Sequence, residues 1–478
     1  MNVINITAKG MTSLFAVLAM TMILASAFYG INLAGASSSP SNVVASLSVK
    51  SSCSVSAPSN TAINFGNLNP TQTYSATNAV TFTDSGGNAP ANILVAGSNM
   101  ISGGNNFYVT NTLWSAISGG STTALTLYTG LASLVDTLIQ IPAPSRTNPS
   151  TTNTIYFGID IPAGTPAGIY TQNIVYGYTC NGGPATAITT NTVATANVQS
   201  ACFISLNTAS IDFGSLDPNA NVPTANQIID TNQGGNVASN ILVEGGNWIS
   251  GSNNFYVANT LWNPTSASAG TGNALALYTG LSSLVDTLIQ VAAPTLSTPT
   301  TSSNIYFGME IPGGTPAGIY TQNIVYGYSC SGGPANAITT NTVATANVQS
   351  TCFIGVSANT INFGTINPGA NVPTSQLITV QDPGGNTAAN VFVDGGNWIS
   401  GSNNFYVTNT LWDVTSDLTY TGNALQLAPA GLTDTHITVL APSISTPTTS
   451  NNIYFGLGIP NGAVAGAYTQ NIIIENSC

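Results

Sequence analysis

Charge is what this sequence lacks. Only 4% of its 478 residues are charged, against roughly 25% in an average soluble domain. Lys and Arg together number 3. Phosphate neutralisation needs clustered cations, so nucleic acid is excluded as a partner. Polybasic attraction to an anionic membrane surface is excluded for the same reason, leaving membrane contact to the N-terminal segment. Histidine is almost missing as well: His436 stands alone. Most acid/base and zinc chemistry uses a histidine, so no catalytic residue, metal site or cofactor is expected. Downstream of residue 36 the chain has no N-x-[ST] sequon free of Pro, which argues against ordinary N-glycosylation. Long amphipathic helical periodicity is absent from the same region.

Apolar material, by contrast, is plentiful, at 43% of residues. That is enough to bury cores and to set disorder aside. Residues 1–36 form a hydrophobic leader, with Lys9 its only charge and an apolar helix expected from about residue 14 to residue 29. Two readings of its processing stand. Ala34-Gly35-Ala36 is an A-x-A site for signal peptidase, which makes the segment a signal peptide. Alternatively, Lys9-Gly10 resembles the cleavage site of archaeal pilin-like leaders, after which the apolar stretch would stay as a transmembrane anchor. Either way the remainder is expected outside the cell or on its surface.

Internal repetition is the strongest signal. Ile63-Asn64-Phe65-Gly66 returns as Ile211-Asp212-Phe213-Gly214 and Ile361-Asn362-Phe363-Gly364. Asn-Thr-Leu-Trp recurs, ending at Trp114, Trp262 and Trp412. The first cysteines fall at Cys53, Cys202 and Cys352, a spacing of 149 and 150 residues, which is domain-sized. Boundaries are expected at 41–180, 190–330 and 340–478. Short runs of Ile, Val, Tyr, Phe and Thr between Gly, Pro, Asn and Ser clusters make each copy all-β, as an Ig-like β-sandwich.

The six cysteines, Cys53, Cys180, Cys202, Cys330, Cys352 and Cys478, fall two per copy without metal-site spacing. In an exported chain they read as disulfides. Two connectivities fit the repeat. Each copy could close on itself, Cys53–Cys180, Cys202–Cys330 and Cys352–Cys478. Adjacent copies could instead be stapled, Cys180–Cys202 and Cys330–Cys352, leaving Cys53 and Cys478 for neighbouring molecules.

Few side chains suggest chemistry. Asp136, Asp286 and Asp434 recur before Thr, but the candidate partner carboxylates, Asp160 and Glu310, give way to Gly458 in the third copy. A glycosidase needs such a pair; turn aspartates bonding local N–H groups are expected instead. Asp84-Ser85-Gly86-Gly87-Asn88 and Asp382-Pro383-Gly384-Gly385-Asn386 faintly suggest calcium loops, yet Asn232 replaces the Asp in the middle copy. Ordinary turns are expected there too. His436 reads as an isolated surface residue. The recurring tryptophans read as core, with an exposed glycan-stacking platform as the alternative.

The Ile-Asn-Phe-Gly block with a following Asn-Pro, and Ile161-Pro162-Ala163-Gly164-Thr165-Pro166-Ala167-Gly168-Ile169-Tyr170, resemble blocks of prokaryotic secreted Ig-like surface proteins. Examples are spore-coat-U-like domains and archaeal surface-filament subunits. The resemblance implies a sandwich at the surface of a cell, archaeal in the leading reading, and no active site. It also implies self-association, with subunits joining by donating a β-strand to a neighbour's sheet edge. Residues 42–52, 191–201 and 341–351 are the equivalent candidate strands, linking consecutive beads within the chain. The other expectation is an adhesin that binds a cell-surface polysaccharide as a multi-domain rod. With so few ionisable groups, folding is expected to tolerate strong acid.

Overall fold

The computed structural model describes residues 45–428 and 432–478. Contacts divide the chain into residues 1–50 and a compact unit spanning Ser51–Cys478. The leader, with Lys9, Gly10, Ala34 and Ala36, lies outside the described residues. Residues 45–50 are exposed and carry no regular secondary structure. Among the described residues no helix is long and apolar enough to cross a membrane.

The compact unit is all-β, three Ig-like sandwiches in tandem. Alternation builds them. In the first bead the strand Thr73–Asp84 ends with Val80, Phe82 and Asp84 inward, and the strand Gly168–Cys180 buries Tyr170, Gln172, Ile174 and Tyr176 at every second position. One sheet runs Thr73–Asp84, Thr151–Asp160, Thr112–Ser115, Thr123–Ala124. The other runs Ala62–Leu68, Thr186–Val198, Gly168–Cys180, Ala91–Gly97, Val135–Ile141. Phe82 and Tyr176 meet edge-to-face across the two sheets at 4.8 Å, a contact worth about 1 kcal/mol beyond its buried area.

The disulfides Cys53–Cys180, Cys202–Cys330 and Cys352–Cys478 close each bead on itself. In the first bead the bridge joins the two sheets: Val55 pairs with Asp84 of one sheet, and Cys180 ends a strand of the other.

The second sheet contains a strand from beyond the bead. Thr186–Val198, which the repeat places at the head of the next copy, inserts between Ala62–Leu68 and Gly168–Cys180. It runs parallel to the former and antiparallel to the latter. Its Thr192, Ala194, Ala196 and Val198 point into the core of the first bead. The second bead repeats the arrangement. Thr342–Val348 lies between Ser210–Leu216 and Gly318–Cys330, again parallel on one side and antiparallel on the other. Ala344, Ala346 and Val348 join that core. Each of the first two beads is thus completed by the chain that leads into the bead after it.

Candidate functional site

The sheet of the third bead differs from those of the first two. The counterpart of Gly168–Cys180 is reduced to Ile472–Ser477, the edge of a three-stranded sheet whose one partner is Ala389–Gly395. Residues 360–366, which correspond to the parallel strand Ala62–Leu68, form no strand. Where the inserted strand would lie there are two adjoining grooves of ≈ 590 and ≈ 610 Å³, both lined by Ile361, Phe363, Trp398 and Tyr468.

The groove presents apolar side chains because part of its wall is made of core positions, with Asn359, Thr360, Gln470 and Asn471 lining it beside them. The sequence Tyr-Thr-Gln-Asn-Ile occurs at 170–174, 320–324 and 468–472. Tyr170, Ile174 and Tyr176 are completely buried, as are Tyr320, Ile324 and Tyr326. Tyr468, Ile472 and Ile474 are only half-buried. An apolar strip with an unpaired sheet edge beside it is a ready template for one more strand.

The filled grooves show what such a strand must bring. Backbone N–H groups of Val193 and Gln199 donate to the carbonyls of Thr61 and Leu68 at 2.9 and 2.9 Å. In the second bead Val343 and Gln349 do the same to Ala209 and Leu216, at 2.8 and 2.8 Å. At position 192 a polar pair forms. Burial drives the Tyr176 hydroxyl well above the usual tyrosine range, while the neighbouring Thr192 hydroxyl pulls the other way. Thr192 itself donates to the Asn60 carbonyl at 2.8 Å, and the Tyr176 oxygen has no hydrogen bond of good geometry. Tyr326 and Thr342 repeat this relation.

The joints between beads are also duplicated. Asn236 Nδ2 donates to the carbonyls of Thr165 and Gln199 at 2.9 and 2.8 Å, and its Oδ1 accepts the Ala201 N–H at 2.8 Å. Asn386 binds Thr315, Gln349 and Thr351 in the same way. The left-handed backbone at Gly164 packs so closely on the second bead that a Cβ would lie 2.3 Å from Thr295. Gly314 meets Ser443 identically, whereas Gly462 has nothing within 4 Å.

Other candidate residues have structural duties. Asp136, Asp286 and Asp434 each accept the N–H two residues ahead at 2.8 Å. They stabilise bulges at which Leu138, Leu288 and His436 take positive φ. Asp84 and Asp382 are buried acceptors of loop N–H groups, Ser54 and Gly87 for one, Gly384 and Gly385 for the other. Asn232 does the same for Phe203 and Gly235. An acceptor is all that these turns require, so Asn serves as well as Asp. His436 is exposed and sits 3.4 Å from Asp434. Among the described residues no group of three or more His, Cys, Asp or Glu could hold a metal. Trp114, Trp248, Trp262, Trp398 and Trp412 are all buried, which removes them as a stacking platform.

Sequence reasoning missed Asp230, which lies in the core where the other copies have Phe82 and Val380. Neither of its carboxylate oxygens has a partner, and burial raises its pKa to about 7. Its own strand gives no sign of this; the signal available was the alignment of the copies, which sets Asp230 against Phe82 and Val380.

No protein-family model matches the chain, and no curated protein does either. Solved structures similar to it include the CsuC-CsuE chaperone–tip adhesion subunit complex of Acinetobacter baumannii Csu pili. That likeness has 11% identity and a TM-score of 0.28, covering 58% of this chain and 100% of that one. The CupB6 tip adhesin of Pseudomonas aeruginosa is similar at 10% identity and TM-score 0.24, over 62% of this chain and 98% of that one. Human CDH23 EC21-23 is similar at 9% identity and TM-score 0.29, over 87% and 98%.

Proposed function

We propose that the protein is a non-enzymatic structural component of the cell surface that assembles head to tail by strand donation. In this reading the strand at residues 42–52 of one copy fills the open groove in the third bead of another. The observation that carries it is the unfilled groove of the third bead, in a chain whose two other grooves are filled by the same kind of segment. Aligned on the first cysteines, residues 42–52 correspond to 191–201, so Val43, Ala45, Leu47 and Val49 fall at the inward positions of Thr192, Ala194, Ala196 and Val198. Leu47 and Val49 are 90% and 72% exposed. An apolar alternation left in water at one end matches an apolar groove left in water at the other. Filling it continues the internal pattern, so that every bead is completed by the chain leading into the next.

Strand donation would give affinity through the backbone ladder and buried side chains, with little need for charge. This suits a chain of 15 acidic and 3 basic residues. The leader and the three disulfides favour an exported location. A polysaccharide-binding rod is the weaker reading. Its most exposed aromatics among the described residues are one tyrosine per copy, Tyr108, Tyr256 and Tyr406.

Removing residues 37–52 tests the proposal. The shortened chain is expected to remain folded and to stay monomeric by light scattering and electron microscopy. Assembly that persists unchanged would overturn strand donation.

A further inference from the structure

Resting on the strand-donation reading, we propose that the third groove is built to accept the N-terminal strand and to refuse the two internal ones. Ile474 and Glu475 set that choice on the groove side, and Val43 on the strand side. An open groove beside strands of similar sequence faces a problem of specificity. If it took residues 186–201 or 336–351 of another molecule, chains would swap strands instead of growing end to end.

The first matched difference is polar against apolar. In both filled grooves a buried tyrosine, Tyr176 or Tyr326, neighbours a threonine of the inserted strand, Thr192 or Thr342, whose hydroxyl donates to the Asn60 or Thr208 carbonyl at 2.8 or 3.3 Å. Ile474 replaces the tyrosine in the third groove, and Val43 replaces the threonine in the N-terminal strand. Both sides of the pair change together. Val43 in an internal groove would leave the Asn60 or Thr208 carbonyl without the threonine hydroxyl that donates to it, and Thr192 in the third groove would place its hydroxyl beside the apolar Ile474 where the filled grooves offer a tyrosine oxygen. Leaving a buried polar group unmatched costs about five- to hundredfold in affinity.

The second matched difference is length. The internal strands have an upstream limb that crosses the closing strand at a glycine: Ala187 pairs with Gly177, and Ala337 with Gly327. No side chain fits there. A Cβ on Gly177 would lie 2.9 Å from the Thr186 carbonyl, and one on Gly327 would lie 2.9 Å from that of Asn336. In the third bead this position, opposite Phe392 as Gly177 is opposite Leu94, is Glu475. At this register a side chain in place of the glycine hydrogen would crowd the limb's carbonyl, as a Cβ at Gly177 or Gly327 would. The N-terminal strand has no such limb to offer: residues 37–41 are Ser-Ser-Ser-Pro-Ser, and Pro40 cannot donate to a ladder.

The test is a competition on the full chain. Assembly is followed by light scattering in the presence of a synthetic peptide of residues 42–52, the same peptide carrying Val43→Thr, or a peptide of residues 186–201. The 42–52 peptide is expected to block assembly at a concentration about tenfold or more below that of either other peptide. The chain carrying Ile474→Tyr and Glu475→Gly is expected to lose that preference and to gain sensitivity to the 186–201 peptide. Equal inhibition of the natural chain by all three peptides, with assembly intact in their absence, would overturn the selectivity and leave strand donation standing. A natural chain that neither assembles nor binds the 42–52 peptide would remove both. The Val43→Thr peptide leaves the protein untouched, so that comparison survives any folding defect in the double variant.

Discussion

The first and third beads have nearly the same sequence pattern but differ in one strand. In the first, Ala194, Ala196 and Val198 complete the core, and the closing strand extends from Gly168 to Cys180. In the third no strand enters, regular structure in the closing segment shrinks to Ile472–Ser477, and the parallel strand disappears. The residues that lose order are those whose ladder partners are missing. A β-sandwich of this type is therefore not self-sufficient: one strand of its core is supplied from outside. The same contrast appears at the joints, where Gly164 and Gly314 are packed against a following bead and Gly462 faces open space.

The largest effect should come from reduction. Each disulfide spans 126–128 residues and is worth about 5 kcal/mol in the chain-entropy picture. The third bead, lacking a strand, is expected to unfold first in calorimetry with reductant. Simultaneous melting of all three would weaken the distinction between filled and empty beads. Next is Asp230, a burden on the second bead alone. Burial raises its folded pKa to about 7, so the folded state holds the proton more tightly than the unfolded one. Stability from this group is full below about pH 4, falls as pH rises towards 7 and is flat above it, a range of about 4 kcal/mol. Asp230→Val, copying Val380, should abolish that slope and stabilise the bead near neutrality, as read from melting temperatures at pH 4 and 8. This sharpens the acid tolerance that the low charge suggests.

A smaller effect tests the fit of the grooves. Ala196→Leu copies Leu47 into an internal strand and should cost about 1–3 kcal/mol by overpacking, seen as a lower denaturation midpoint. Leu47→Ala should leave the stability of the single chain unchanged and weaken assembly. If the two substitutions affect the monomer equally, the N-terminal strand is not the external one. The smallest expected effect is at the joint. Asn236→Ala removes hydrogen bonds to Thr165 and Gln199, worth about 1–2 kcal/mol together. Faster proteolysis near Gln199 would report it. Asn88 holds the equivalent position, with Oδ1 accepting the Ser52 N–H at 2.8 Å.

Much of this was legible beforehand. Period-two alternation identifies strands because successive side chains must face opposite sides of a sheet. The cysteine spacing and the repeated blocks mark three copies because each contains one full set of core residues. Asp136, Asp286 and Asp434 read as local acceptors for a similar reason: a turn or bulge needs only a short side chain next to its own N–H groups. Other features were not legible. Nothing in the alternation of Thr192, Ala194, Ala196 and Val198 says which core receives them, since both neighbouring beads are apolar. The burden at Asp230 was hidden within its own strand, because a lone acid in an alternating strand has the same spelling whether it faces water or the core; only alignment with Phe82 and Val380 points to it.

The sequence by itself determined the class of fold, the number of copies and the set of apolar faces, because these follow from local periodicity and composition. Only the tertiary structure decided that each inserted strand belongs to the bead before it, and that the third groove is left open. Strand pairing is a long-range choice. It depends on which edge has unpaired N–H and C=O groups and an apolar slot of the right shape, and no window of neighbouring residues contains that information.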